Sequence, residues 1–131
     1  MNFKIVRLMF LKKKLRSNGV KEAEVSVVVH RIENLLKEYV GRPFKIGKTD
    51  NPKQRTYKYA NEGYSILKIV FEHPCLDVID DMEKYLIRYF EIKEATCDDI
   101  TNVNDGGAGR KSESFRYYIY VTIKTNNNEH N

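Results

Sequence analysis

Hydrophobic and polar positions alternate with two distinct periods along this chain. Over residues 22–39, EAEVSVVVHRIENLLKEY, apolar side chains at Val25, Val28, Val29, Ile32, Leu35, Leu36 and Tyr39 recur every three or four residues, the stripe that an amphipathic helix buries. The run Val27–Val29 on its own suits a strand, but the period continues through Tyr39, and Gly41 and Pro43 then form a helix stop. Residues 43–48, PFKIGK, alternate in the manner of a strand. Thr49-Asp50-Asn51 before Pro52 reads as a helix start with proline at the first helical position, and that helix is expected to run to about Asn61, with Gly63 ending it. Residues 64–72, YSILKIVFE, are strand-like. The clearest helix is 75–92, with Leu76, Ile79, Met82, Leu86, Ile87 and Phe90 on one face. Gly106, Gly107 and Gly109 break residues 98–111 into loop. Residues 115–123, FRYYIYVTI, alternate and are rich in aromatic and β-branched side chains, so a strand is expected, and the polar tail after it is expected to be disordered. The pattern predicts an α+β fold: a small antiparallel or mixed three-stranded sheet flanked by helices. It divides the chain into a basic N-terminal segment 1–20, a single domain 21–124 and a tail 125–131.

A length of 131 residues with 41% apolar and 31% charged residues fits one globular core and leaves no room for two. Cys75 and Cys97 form no C-x-x-C pair and are too few for a disulfide scaffold, so they read as free thiols in a reducing compartment. No apolar run approaches the ~20 residues of a membrane span. Met1 to Gly19 places its basic run, Lys12-Lys13-Lys14, after the apolar residues, the reverse of a secretion signal. A cytoplasmic protein with no membrane partner is expected. The net charge of +5 is unevenly spread: residues 1–60 carry +10 and residues 61–131 carry −5. One basic surface of this kind suits phosphate, and hence nucleic acid.

Three local features carry candidate chemistry. Glu83 lies four residues from both Ile79 and Ile87, within the apolar face of its helix, where a carboxylate is costly unless paired or metal-bound. In Phe44-Lys45-Ile46-Gly47-Lys48-Thr49, strand geometry turns Lys45 and Gly47 to one face. Gly47 admits a close neighbour, and Arg55 falls early in the next helix, where the helix terminus already favours an anion. Thr101-Asn102-Val103-Asn104-Asp105-Gly106-Gly107 is a turn sequence.

The order of these pieces resembles the GIY-YIG nuclease superfamily over roughly residues 43–109. Lys45-Ile46-Gly47-Lys48-Thr49 is most similar to the branch, found in viral and phage domains, in which lysine replaces the tyrosine of the second motif. The resemblance implies a metal-dependent endonuclease. Arg55 would contact the scissile phosphate. Glu83 would be the single protein ligand of a divalent metal, Mg²⁺ or else Mn²⁺. Asn102 or Asn104 would support the site, and Lys45 would stand in the place of the tyrosine. The first motif, a strand ending in tyrosine just before the second, is missing ahead of Lys45. Two explanations compete. Val25 to His30 is that strand and His30 replaces the tyrosine, or the strand has moved to the end of the chain, as a circular permutation, and Tyr118 or Tyr120 supplies the side chain. The second is preferred, because Tyr118-Ile119-Tyr120 matches the motif better and domain ends often lie close together. Tyr118 and Tyr120 share a face and Tyr117 lies on the other.

Mechanistically, Tyr118 or Tyr120 is expected to take the proton from water, its phenol lowered by Lys45 and the metal, with Lys45 itself as another base and His30 and His73 in reserve. Lys12, Lys13, Lys14, Arg16, Lys48, Lys53 and Lys58 are expected to hold DNA backbone, double-stranded in preference, and a homodimer or partner protein would add specificity. The main alternative is a degenerate domain of the same kind that binds nucleic acid or protein without cutting it. An unrelated basic interaction domain is a third.

Overall fold

The structure, a computed structural model, describes residues 2–102 and 114–125. Its elements in chain order are helix α1 (Phe3–Ser17), helix α2 (Glu22–Glu38), strand β1 (Phe44–Thr49), helix α3 (Pro52–Ala60), strand β2 (Ile66–His73), helix α4 (Leu76–Ile92) and strand β3 (Tyr117–Ile123). The α+β class and the three-stranded sheet flanked by helices are as the pattern predicts. Every expected helix and strand forms, with ends displaced by one or two residues. Val25 to His30 lies inside α2, which removes the explanation that made it a strand with His30 in the tyrosine's place: the three-to-four spacing of its valines outweighs their β-branching.

Local chemistry sets the boundaries. The Asn2 side chain caps α1 by accepting from the Lys4 amide at 2.8 Å. Asn51 caps α3 by accepting from the Gln54 amide at 3.2 Å, and Pro52 follows it, which satisfies one orphan donor and presets φ at the first helical position. Gly41 and Gly63 adopt φ of 75° and 89°, left-handed conformations that end segments where other residues would be strained.

The sheet order is β1-β3-β2, with both pairings antiparallel. The last strand in sequence is therefore the central one, beside β1, where the displaced-motif explanation needs it. Register pairs Lys45 with Thr122, Gly47 with Tyr120 and Thr49 with Tyr118. On the other side Ile69 pairs with Tyr120 and Glu72 with Tyr118, with an irregularity at Val70 that bends β2. The free edge of β1 is covered by residues 99–102: Phe44 N–H donates to Asp99 O at 3.0 Å, and Thr101 N–H donates to Phe44 O at 2.8 Å.

The core lies on one face of the sheet. Phe44, Ile46, Ile119, Val121 and Ile123 pack there against Ile79, Met82, Leu86 and Phe90 of α4 and Val28 and Ile32 of α2, and Phe44 meets Phe90 edge-on. Leu11 and Leu15 of α1 are buried in the same cluster, so the core runs across the boundary expected at residue 20. α3 covers the opposite face and contributes no fully buried residue.

Candidate active site

Alternation along β1 sorts its side chains. Phe44, Ile46 and Lys48 face α4, while Lys45, Gly47 and Thr49 face α3, together with Tyr118, Tyr120 and Thr122 of the neighbouring strand. The centre of this second face is Tyr120. Its ring lies across Gly47 so closely that a Cβ added at Gly47 would sit 2.3 Å from the phenol oxygen and 2.4 Å from Cζ. Only glycine leaves that space. Tyr117 is buried in the core on the other face, as the alternation predicts, and Tyr118 lies two residues from Tyr120 on the α3 face, half-buried between Thr49 and Glu72.

α3 supplies the wall opposite. Arg55 and Tyr59 are four residues apart and share the inward side. The Tyr59 ring is 5.9 Å from both Tyr120 and Tyr64, and the Tyr120 hydroxyl donates to the Tyr59 hydroxyl at 3.4 Å. The Lys45 ammonium stands over the rings of Tyr59 and Tyr64, 5.4 and 5.3 Å from their centroids, a cation–π arrangement. Among the described residues no carboxylate pairs with Arg55. Glu83, on α4, is only 6% exposed, between Ile79 and Ile87, so it is a buried acid and not one reaching out from the edge of the stripe.

Electrostatics tie these groups together. Burial pushes the Tyr120 phenol well above the ordinary tyrosine range, and the hydrogen bond and charge of Tyr59 push it further. The Arg55 guanidinium pulls it down, and the Glu83 carboxylate raises it. Arg55 and Glu83, from different helices, thus both lie within electrostatic reach of one hydroxyl, each with a smaller effect than burial and Tyr59. The expectation that Lys45 lowers this phenol is corrected here: the ammonium is engaged over Tyr59 and Tyr64, and desolvation governs Tyr120. At neutral pH Tyr120 is a hydrogen-bond donor, not a base.

Asn102 braces the site from behind. Its side-chain oxygen accepts from Ile46 N–H at 3.0 Å, and its amide donates to Ile46 O at 2.8 Å, so it fixes the backbone between Lys45 and Gly47. Thr101 bridges the Tyr64 hydroxyl, at 3.0 Å, and Phe44 O, at 3.0 Å. Asn104 lies outside the described residues.

The expected DNA-binding cations divide. Lys48 is half-buried on the core face in an ion pair with Asp80, away from Lys45. Lys12 pairs with Glu22 at 2.6 Å and Lys14 with Asp81 at 3.2 Å, so these three are committed to internal partners. Lys13, Arg16, Lys53 and Lys58 are exposed, and the Lys58 ammonium lies 5.2 Å from the Tyr59 ring centroid. His73 accepts from the Cys75 amide through Nδ1 at 2.9 Å, a capping role, and His30 is exposed on α2. A separate cavity of about 330 Å³, lined by His30, Leu36, Tyr39, Phe44 and Phe90 among others, shares no residue with the Tyr120 cluster.

Tyr59 and Tyr64 were not singled out from the sequence. The available signal was the Arg55–Tyr59 spacing, which turns both side chains the same way. Among the described residues no group of three or more His, Cys, Asp or Glu gathers to hold a metal, so no closed metal cage is present. A buried carboxylate such as Glu83 does suit a hard cation that keeps its waters and takes further oxygens from a substrate phosphate. Among the described residues no helix is long and apolar enough to cross a membrane. No family model, no curated protein and no solved structure matches the chain.

Proposed function

We propose that this protein is a metal-dependent endonuclease that hydrolyses phosphodiester bonds of DNA at the Tyr120 face of its sheet, with an active site resembling the GIY-YIG superfamily. The observation that carries the reading is that Tyr120 lies across Gly47 with the Lys45 ammonium held over the neighbouring Tyr59, and that Arg55 and Glu83, one basic and one acidic and drawn from different helices, both lie within electrostatic reach of its hydroxyl. Phosphodiester cleavage asks for that combination: cations for the phosphate, a donor for its oxygens and an acid to hold a divalent ion.

In this reading the Arg55 guanidinium clamps two phosphate oxygens through its planar fork. Lys45 adds a second positive charge, and the Tyr120 hydroxyl, protonated at neutral pH, donates a hydrogen bond to the phosphate. Glu83 is the residue that would hold Mg²⁺ or Mn²⁺. When bound, such an ion polarises the phosphate and lowers the pKa of a water. Asn102 keeps the strand beneath Lys45 from shifting. Exposed Lys53, Lys58, Lys13 and Arg16 meet the backbone of double-stranded DNA outside the site. We place the protein in the cytoplasm, where Cys75 and Cys97, both exposed and free, stay reduced.

One observation favours a second reading. The phenol over Gly47 is pushed up instead of down, so Tyr120 is not the activated base that the resemblance implies, and a domain that binds nucleic acid without cutting it would look the same. A plasmid-nicking assay with and without Mg²⁺ separates the two. The nuclease reading expects metal-dependent nicking by the wild type and a loss of at least ~100-fold in both Glu83→Gln and Arg55→Ala, about 2.7 kcal/mol of transition-state stabilisation, with circular dichroism unchanged. Wild-type rates in both variants would remove these residues from the chemistry. Salt-sensitive DNA binding without any nicking would establish the binding module.

A further inference from the structure

Helix α1 holds the body through one side, with Leu8 half-buried against the core and the firmest hold in its second half. Leu11 and Leu15 are buried, and Lys14 and Asn18 are tied to Asp81 of α4. Its first two turns carry Phe3, Ile5, Val6, Met9 and Phe10, all of them between 42% and 84% exposed, and among the described residues the other exposed large apolar side chains are scattered singly outside α1. On a helical projection these five side chains fill the sector opposite Leu11 and Leu15. The same sector continues into Lys13 and Arg16. The solvent side of α1 is therefore apolar along its first half and cationic along its second, with no acidic residue anywhere in the helix. A concentrated apolar patch of this kind marks an interaction surface.

We propose that this half-helix is a self-association surface on which the α1 helices of two copies pack antiparallel, centred on Val6. Charge selects both the occupant and the direction. A parallel pair would lay one Lys12–Arg16 run beside the other, whereas the antiparallel pair overlaps only residues 3–10 and carries the two cationic runs past opposite ends. A lipid surface lying along the whole sector would meet Lys13 and Arg16 where an in-plane helix needs apolar side chains; a second copy, in contact with the first half alone, does not. In the antiparallel pair Phe3 meets Met9 of the other copy twice, about the two-fold axis, as an isologous contact requires. Burying most of the five side chains on both copies removes on the order of 800–1,000 Å² in total, the low end of specific interfaces, so dissociation in the tens of micromolar is expected. The interface does not depend on the nuclease reading.

The test is analytical ultracentrifugation of the full chain over about 1–300 µM, a range that brackets the expected dissociation constant. Wild type sediments as a reversible monomer–dimer mixture. Val6→Lys, which sets two ammonium groups against each other at the axis, weakens dimerisation at least ~10-fold, with unchanged circular dichroism and melting because Val6 lies outside the core. Phe115→Ser, at a still more exposed aromatic outside α1, leaves dimerisation unaltered. Direction is read by crosslinking: in a Cys75→Ser/Cys97→Ser background treated with copper–phenanthroline, Val6→Cys chains join to one another rapidly and Phe3→Cys chains do not. A wild type that stays monomeric throughout, a Val6→Lys variant that dimerises normally, crosslinking at both positions, or association of the monomer with anionic vesicles in place of self-association would each overturn the proposal.

Discussion

Replacing Gly47 by alanine puts a methyl group where Tyr120 now lies. The added carbon would stand 2.3, 2.4 and 2.9 Å from the Oη, Cζ and Cε2 atoms of that ring, and the ring is buried against Tyr59 and cannot swing into solvent. Overpacking of a well-filled site costs about 1–3 kcal/mol, and with three atoms in conflict the upper part of that range applies, roughly 2–3 kcal/mol. For 131 residues, an unfolding entropy of about 2.1 cal/mol/K per residue converts this to a melting point lower by roughly 7–11 °C. The informative measurement is a double-mutant cycle by thermal and urea denaturation. In a Tyr120→Leu background, where the conflicting ring atoms are gone, Gly47→Ala should cost less than ~0.5 kcal/mol or even stabilise, since alanine loses less entropy than glycine in a strand. An equal cost in both backgrounds would refute the geometry. It would mean that the Tyr120 ring does not lie across Gly47, and the candidate site built on that contact would dissolve with it.

Three further outcomes follow from the same structure. Lys48→Met leaves Asp80, whose side chain is 10% exposed, as a buried charge without its partner, at a cost of about 3 kcal/mol; adding Asp80→Leu should recover most of it, and a coupling below ~0.5 kcal/mol by urea denaturation would count against the pair. Burial raises the phenols of Tyr120 and Tyr85 above the ordinary value of 10.0, so below pH 10 both states hold the proton, and above it the unfolded chain ionises first. Stability is then fully present below pH 10 and falls as pH rises beyond it, by up to about 1.4 kcal/mol per pH unit per phenol; ultraviolet titration should show both ionising late, with one late transition gone in Tyr120→Phe, and ionisation of both with the exposed tyrosines would contradict the burial. A chain ending at residue 113 lacks β3 and should lose cooperative unfolding, as circular dichroism and melting would report; a sharp transition in that fragment would refute the central place of the strand.

Much of the fold was legible because amphipathic faces write their period into the sequence. The valines of α2, the apolar face of α4 and the alternation of β3 each bury one side only. Parity alone placed Lys45 with Gly47, and Tyr118 with Tyr120. The rest needed the third dimension. Lys48 read as one more cation in a basic run, because its partner Asp80 sits 32 residues away. Residues 3–17 read as a basic appendage because their apolar side chains surround the helix and form no stripe, which hides the inward pair Leu11 and Leu15. Tyr59 drew no notice because α3 buries no residue fully, so no apolar period marks its inward side. The direction in which Tyr120 shifts could not be read either, since a charge such as Lys45 is visible in a sequence and the depth of burial is not.

The position of β3 joins these findings. β1 and β2 do not pair with each other; each pairs only with β3, which arrives about 40 residues after β2 and about 70 after β1 along the chain. Closing the sheet therefore waits on contacts between distant parts of the chain, and loop-closure entropy must be met before any pairing compensates it. The same strand carries Tyr120 to Gly47. No partly assembled form with β1 and β2 alone can hold that phenol beside Arg55 and Glu83, so the geometry proposed for catalysis exists only when the whole sheet does. An opening of the β1–β3 pairing would separate Gly47 from Tyr120 at once, and Asn102, bonded to both polar groups of Ile46 on the far edge of β1, opposes that motion at the residue next to Gly47.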